Sequence, residues 1–377
     1  MSNTKIYTSE SVSSGHPDKV ADQISDAILD ACLAQDKNCR SAVETLVTKG
    51  LAFITGELTC KGYVDINKIA RDTIIDIGYN RPELGFDGHD CGIIVSIQEQ
   101  SPDIAAGVDT GGAGDQGIMY GYATRETPDL MPLPISISHE LMRQADKVRK
   151  EDPKLGFRPD AKGQVSIIYE NGEAKEIETT VLAIQHEPEY SQDRIRENVK
   201  KYIIQPVMDK YSCFYDPKMK IHINPSGIFV QGGPQADAGL TGRKIIVDTY
   251  GGLCPHGGGA FSGKDPTKVD RSATYMARHL AKCIVAADLA DRAQVALAYA
   301  LGVVQPVALN LETFGTEHLD PEKIEKKIRD NFDLSPKGIA THLKLKETKY
   351  RPTAAYGHFG GKEYPWEDTK PADALRN

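Results

Sequence analysis

Read as pattern alone, the chain is an α+β protein of three similar units, each a small antiparallel or mixed sheet covered by helices. Three features point there. The order helix, strand pair, helix, strand recurs along the chain; turn signals split the strand pairs; and capping residues stand before the helices. Only the order repeats, since no residue-level repeat is visible. The units divide the chain approximately into 1–104, 105–230 and 231–377.

In the first unit, residues 19–35 form an amphipathic helix, with Val20, Ile24, Ile28 and Cys32 at i+4 steps and Asp22, Asp26 and Asp30 elsewhere. Strands at 42–48 and 51–58 follow, separated by Lys49-Gly50. A helix over 65–77 and a strand over 91–97 close the unit. The second unit opens with a helix over 135–150. Strands at 164–169 and 177–185 flank Asn171-Gly172, a strong hairpin turn. Ser191 caps a helix over 193–209, and 219–230 returns as strand. The third unit begins with a strand over 244–250. Asp270 caps a helix over 271–287, strand pattern runs through 295–311, and Asp320-Pro321 opens a helix to Asn331. Between units one and two, residues 101–121 are rich in Gly and Asp, as in a linker or a mobile active-site cover.

With 40% hydrophobic and 26% charged residues, the 377-residue chain has ordinary globular composition. A net charge of −8 argues against a general nucleic-acid surface, so a polyphosphate site must gather its cations locally. The seven cysteines form no C-x-x-C pair and sit mostly in apolar stretches, as expected of free thiols in a reducing compartment. Neither a secretory signal nor an apolar run of ~18 residues is present, and a cytoplasmic location is expected.

The most informative run is Gly257-Gly-Gly-Ala-Phe-Ser-Gly-Lys-Asp265, glycine-rich enough for backbone N–H groups to approach a polyphosphate, with Lys264 as counter-charge. It satisfies the G-x-x-x-x-G-K part of a P-loop. Asp265, however, stands where the Mg²⁺-holding Ser/Thr belongs. Gly15-His-Pro-Asp-Lys19 runs into the first helix, whose free N–H groups suit an anion, with Asp18 placed to hold a hard cation. Lys162, Arg243, Lys244, Lys264 and Lys268 supply five positive charges, against roughly four negative ones on a nucleoside triphosphate. Glu44 and Glu57 flank one hairpin and could face a shared cleft. Nucleophile–base, zinc-protease and dinucleotide motifs are missing.

Five segments, in order, resemble the signatures of the S-adenosylmethionine synthetase family: Gly15-His-Pro-Asp-Lys19, Gly112-Ala-Gly-Asp-Gln-Gly117, Arg158-Pro-Asp-Ala-Lys162, Gly239-Leu-Thr-Gly-Arg-Lys244 and 257–270. The similarity runs from about Tyr7 to Trp366. It implies a methionine adenosyltransferase: the thioether sulfur attacks C5′ of ATP and expels tripolyphosphate, which is then hydrolysed to pyrophosphate and phosphate. By matching motif, His16, Lys162, Arg243 and Lys264 would be catalytic, with His16 at the departing oxygen. ATP would meet His16, Asp160, Lys162, Phe229, Asp237, Arg243, Lys244, Ala260 and Lys264. Methionine would meet Glu57, Gln100, Asp115, Asp237 and, at its carboxylate, Lys268. Asp18 and Asp270 would ligate Mg²⁺, two ions per site, and Glu44 one K⁺.

The resemblance also implies a homodimer with shared active sites, paired into a tetramer, and domains that exchange segments. Two departures stand out: a short stretch between Val108 and Gly114 over the site, and Ile228 where the pattern has a basic residue. A P-loop phosphotransferase and a non-catalytic nucleotide-binding relative are the competing readings. The first predicts release of ADP, the second nucleotide binding without turnover.

Overall fold

The computed structural model describes residues 4–99 and 111–376. Strand β1 (Thr4–Val12) leads into helix α1 (Pro17–Gln35), which opens with His16 at its cap and Pro17, whose missing N–H costs nothing there. Strands β2 (Arg40–Thr48) and β3 (Leu51–Thr59) form a hairpin. Helix α2 (Ile66–Ile77) follows, started by the Asp65 carboxylate accepting from Lys68 N–H, and then strand β4 (Gly92–Gln98). Strand β5 (Gly117–Thr124) precedes helix α3 (Leu133–Glu151).

The long hairpin of β6 (Phe157–Glu170) and β7 (Glu173–His186) turns on Asn171 (φ +53°) and Gly172 (φ +87°), the left-handed pair this turn requires. Ser191 caps α4 (Gln192–Val199), which continues through a π turn into α5 (Gln205–Lys210). Next come strands β8 (Lys220–Ile223) and β9 (Gly239–Leu240), a one-turn helix α6 (Ile245–Asp248) and the long helix α7 (Val269–Ala286). Strands β10 (Arg292–Tyr299) and β11 (Ala308–Glu312) and helices α8 (Pro321–Asn331) and α9 (Pro336–His342) complete the set that positions the site.

Among the described residues the strands form three sheets, ordered β4-β3-β2-β9, β8-β7-β6-β1 and β11-β10-β5. Each is an antiparallel hairpin with a further strand laid antiparallel on its first member: β9 on β2, β1 on β6, β5 on β10. In the first two, a strand also runs parallel to the second member, β4 to β3 and β8 to β7. That shared plan bears out three α+β units. The added strand comes from a distant stretch of chain each time. One core cluster combines α1, α2 and the first sheet with α7 and the third sheet; the other packs α3, α4 and α5 on β6 and β7.

Several elements depart from expectation. Residues 244–250, β-rich in composition, hold the helical turn α6. Lys244 C=O accepts from Asp248 N–H, and Asp248 is buried against Lys19. Composition alone could not see that tertiary partner. The strand expected over 219–230 stops at Ile223, because Pro225 cannot donate to a ladder and Gly227 (φ +96°) turns the chain. The strand pattern over 295–311 is the β10–β11 pair. Asp270 lies inside the first turn of α7 rather than at its cap, its carboxylate taken by Lys264. Strands β1 and β5 were not anticipated, and β5 begins inside the Gly- and Asp-rich stretch. All seven cysteines are free thiols. Among the described residues no helix is long and apolar enough to cross a membrane.

Candidate functional site

Helix α1 organises the site. Its apolar face, Val20, Ile24, Ile28 and Cys32, is fully buried, as periodicity required. The opposite face carries Asp18, Asp22, Asp26 and Asp30 at i+4 steps, and instead of meeting water it grips loops. Asp18 accepts from Leu240 N–H (3.0 Å), Asp22 from Gly242 N–H (2.9 Å) and Asp26 from Gly263 N–H (2.8 Å); Asp30 takes Tyr350 and Arg351 N–H. The two glycine loops of the sequence are thereby pinned side by side on one helix. A Cβ on Gly242 (φ +78°) would lie 2.4 Å from Ala260 Cβ, and one on Gly263 (φ +82°) 1.9 Å from Val43 O. Neither position tolerates a side chain.

A first group of side chains gathers where α1 begins. The Asp18 carboxylate is 2.7 Å from Lys244 Nζ and 3.9 Å from Arg243. Burial opposes its ionisation, yet hydrogen bonds from Lys244 and Leu240 N–H outweigh burial and hold its carboxyl below the usual range. His16 is buried, and its Nδ1 accepts from Asp18 N–H at 3.2 Å, so the ring proton resides on Nε2. Burial first, then the positive charges of Lys244, Lys162 and Lys19, lower its pKa to about 3. His16 is therefore a neutral hydrogen-bond donor.

Lys162 stands exposed on β6, beside Val12 of β1. Asp160, two residues earlier, is buried; one oxygen accepts from Gly233 N–H (2.8 Å) and the other has no hydrogen-bond partner. Burial pushes its carboxyl up to about 6. Asp237 is exposed, close enough to reinforce that shift. Phe229 donates its N–H to His186 Nε2, and its ring borders Gly232.

A second group lies further along α1, about 12 Å from Asp18 by the helical rise to Asp26. Lys264 Nζ binds the Asp270 carboxylate (2.6 Å) and Lys268 Nζ the buried Asp265 (3.0 Å). A backbone bridge sets Lys264 beside Ala42, whose partner across β3 is Glu57. Glu57, Ala42 and Lys264 thus form one rank on one side of the sheet, spanning about 10 Å. Glu44, two residues from Ala42, is exposed on the same side. Asp115 is exposed just before Gly117, which lies against Asp270. Gln100 and the stretch from Val108 to Thr110 lie outside the described residues; Ile228, 77% exposed, stands in solvent.

The predicted cations therefore fall into two groups in one chain, and the ion pairs of each stay within it. Asp18 and Asp270 each present carboxylate oxygens beside a lysine, a donor set that suits a hard divalent ion next to phosphate. The glycine run is not a P-loop: an isolated bridge at Lys264 follows it, and α7 starts only at Val269. Sequence reasoning missed the supporting charges. Lys19 is fully buried between Asp22 (2.8 Å) and Asp248 (2.5 Å), and Arg271 makes a bidentate pair with Asp26. The i+4 aspartates of α1 were the available signal.

Family models for S-adenosylmethionine synthetase match in three parts: the N-terminal domain over 4–102, the central domain over 110–229 and the C-terminal domain over 231–368. The S-adenosylmethionine synthase of Desulfosudis oleivorans is 52% identical over 385 residues, covering 100% of this chain and 99% of its own. That of Thermus thermophilus is 52% identical over 388 residues, covering 99% and 98%.

Proposed function

The chain belongs to the S-adenosylmethionine synthetase family, and we propose that its two groups of cations act together on the triphosphate of ATP while methionine sulfur attacks C5′. The protein is an enzyme, a methionine adenosyltransferase that forms S-adenosylmethionine from ATP and methionine. The observation carrying the finer reading is the pairing of Lys244 with Asp18 beside a neutral, buried His16, and of Lys264 with Asp270 in the second group.

A thioether attacks without losing a proton, so no general base is needed, and the barrier lies in charge building on the leaving oxygen. His16 Nε2–H donates to that oxygen and is ready to do so throughout the neutral range. Arg243, Lys244 and Lys264 turn from their carboxylates to the phosphates, and the exposed Lys162 joins them. Asp18 and Asp270 would hold two Mg²⁺ per site, and Glu44 one K⁺; these ions neutralise polyphosphate charge. Asp160 offers its unpartnered oxygen, with Phe229, Asp237 and Ala260, to the nucleoside. Glu57, Gln100, Asp115 and Asp237 hold the amino-acid end of methionine and Lys268 its carboxylate. Tripolyphosphate leaves whole and is cleaved to pyrophosphate and phosphate in the same site.

Two groups in one chain make a complete site only if a second copy supplies the missing half, so the reading includes a homodimer paired into a tetramer. Exposed apolar residues Ile94, Ile118 and Leu240 on strands, and Ile246 on α6, support such pairing. The segments 1–104, 105–230 and 231–377 stand as the domain division, with β1, β5 and β9 exchanged between units. A cytoplasmic setting accords with the free thiols. His16→Asn tests the mechanism: sulfonium formation from ATP and methionine should fall at least about a hundredfold, while hydrolysis of added tripolyphosphate falls far less. Equal losses in the two steps would remove His16 from the departing oxygen.

A further inference from the structure

The nucleoside half of the proposed site draws on two distant stretches: Asp160, near the start of β6, and Phe229, in the loop after β8. Phe229 lies in no strand. Strand β8 leaves the ladder at Ile223, opposite Leu182, because Asn224 (φ +42°) and Gly227 (φ +96°) turn the chain away. The chain returns to β7 at Phe229, and there one residue receives it. His186, the buried last residue of β7, donates its N–H to Phe229 C=O (2.9 Å), while its ring Nε2 accepts from Phe229 N–H (3.1 Å). A histidine ring thus stands in for the missing half of a backbone pair.

The ring itself is held in one tautomer. Its Nδ1 lies 2.9 Å from Glu187 C=O, which can only accept, so Nδ1 carries the proton and Nε2 presents its lone pair. Gln192, the first residue of α4, donates its amide to the same Nε2 at 2.9 Å.

From this arrangement we infer that His186 is a positioning residue for ATP: acting through Phe229 and not on the nucleotide, it fixes the aromatic ring where the base binds.

The inference rests on the reading that Phe229 meets the nucleoside. Its neighbour on β7 extends the hold to Asp160. Gln185, fully buried, accepts Asp160 N–H on Oε1 (3.3 Å) and donates from Nε2 to Val230 C=O (2.9 Å). The Gln185 side chain and the half-buried Phe229 ring then close on Gly232: a Cβ there would lie 2.8 Å from Gln185 Cδ and 2.8 Å from Phe229 Cε2. The end of β7 therefore sets both nucleoside contacts in one frame. Taking away the Nε2 lone pair leaves Phe229 N–H without its acceptor and frees the ring to leave that frame.

Steady-state kinetics of the full-length enzyme separates this role from a merely structural one, because tripolyphosphate has no nucleoside to position. Gln192→Glu, at a partly exposed site, keeps the imidazole but sets a carboxylate against Nε2, which then takes up a proton and turns a donor toward Phe229 N–H. The KM for ATP should rise about tenfold while kcat stays within about threefold, and the KM for hydrolysis of added tripolyphosphate should not move. His186→Leu should raise the KM for ATP as far. His186→Gln, whose side-chain carbonyl can accept from Phe229 N–H, should bring it back to within about threefold of wild type. In a Phe229→Ala background, Gln192→Glu should add nothing. Phe229→Ala by itself tests the underlying reading, since an unaltered KM for ATP would take Phe229 away from the nucleoside. Where Phe229→Ala does raise that KM, three results would each overturn the role of His186: wild-type KM for ATP in Gln192→Glu, equal losses with ATP and tripolyphosphate, or no advantage of His186→Gln over His186→Leu.

Discussion

Asp160 shows how a single residue trades stability for binding. Its buried carboxylate has one oxygen satisfied by Gly233 N–H and one without a partner. Because burial raises its pKa to about 6, the folded chain holds that proton more tightly than the unfolded chain. Stability therefore falls as pH climbs from the unfolded value near 4 through about 6, and the deficit is complete above that window. Asp160→Asn should raise the unfolding free energy of the ligand-free protein by about 1–3 kcal/mol at pH 7.5 and leave it unchanged at pH 4, while weakening ATP binding. Urea titrations at the two pH values and nucleotide titration check both halves. The motif made Asp160 legible in the sequence. Its orphaned oxygen was not, because that depends on a turn some 70 residues away.

At the scale of the element, α1 is a clamp. One face enters the core, and the other offers four carboxylates to backbone N–H groups of the 240s, 260s and 350s. Asp26 matters most, since it also neutralises the fully buried Arg271 through two hydrogen bonds of 2.7 and 2.8 Å. Asp26→Ala should cost about 3–5 kcal/mol by stranding that guanidinium, and Asp26→Asn less. Thermal or urea unfolding measures the difference; a loss under about 1 kcal/mol would mean that Arg271 finds another partner. Periodicity foretold the helix and its apolar face from Val20, Ile24 and Ile28. It left the aspartates on the polar side by default, because a repeat of acids looks the same whether water or a loop covers it. The 244–250 misreading has the same origin: Ile245, Ile246 and Val247 favour a strand, but the buried Lys19–Asp248 pair fixes a helical turn.

For the whole molecule, the separation of Lys244 from Lys264 makes a sharp prediction. Lys244→Ala and Lys264→Ala should each be nearly inactive alone. If a site takes one lysine from each of two copies, co-expressed or co-refolded variants form mixed dimers in which one site is intact, and activity should return to about a quarter of wild type. Restoration to no more than the sum of the single variants would place both lysines in a site within one chain. The exposed apolar strand residues Ile94 and Ile118 argue for the former.

The sequence by itself determined the family, the long amphipathic helices, the Ser191 and Asp320 caps, the Asn171-Gly172 hairpin and the identity of the charged groups, because these rest on local spacing and backbone preference. Only the tertiary structure decided which strand joins which sheet, that Asp22 and Asp26 face loops rather than water, that His16 stays neutral, and that His186 holds Phe229. Those outcomes depend on burial and on partners far away in the chain, and neither is written in any window of neighbouring residues.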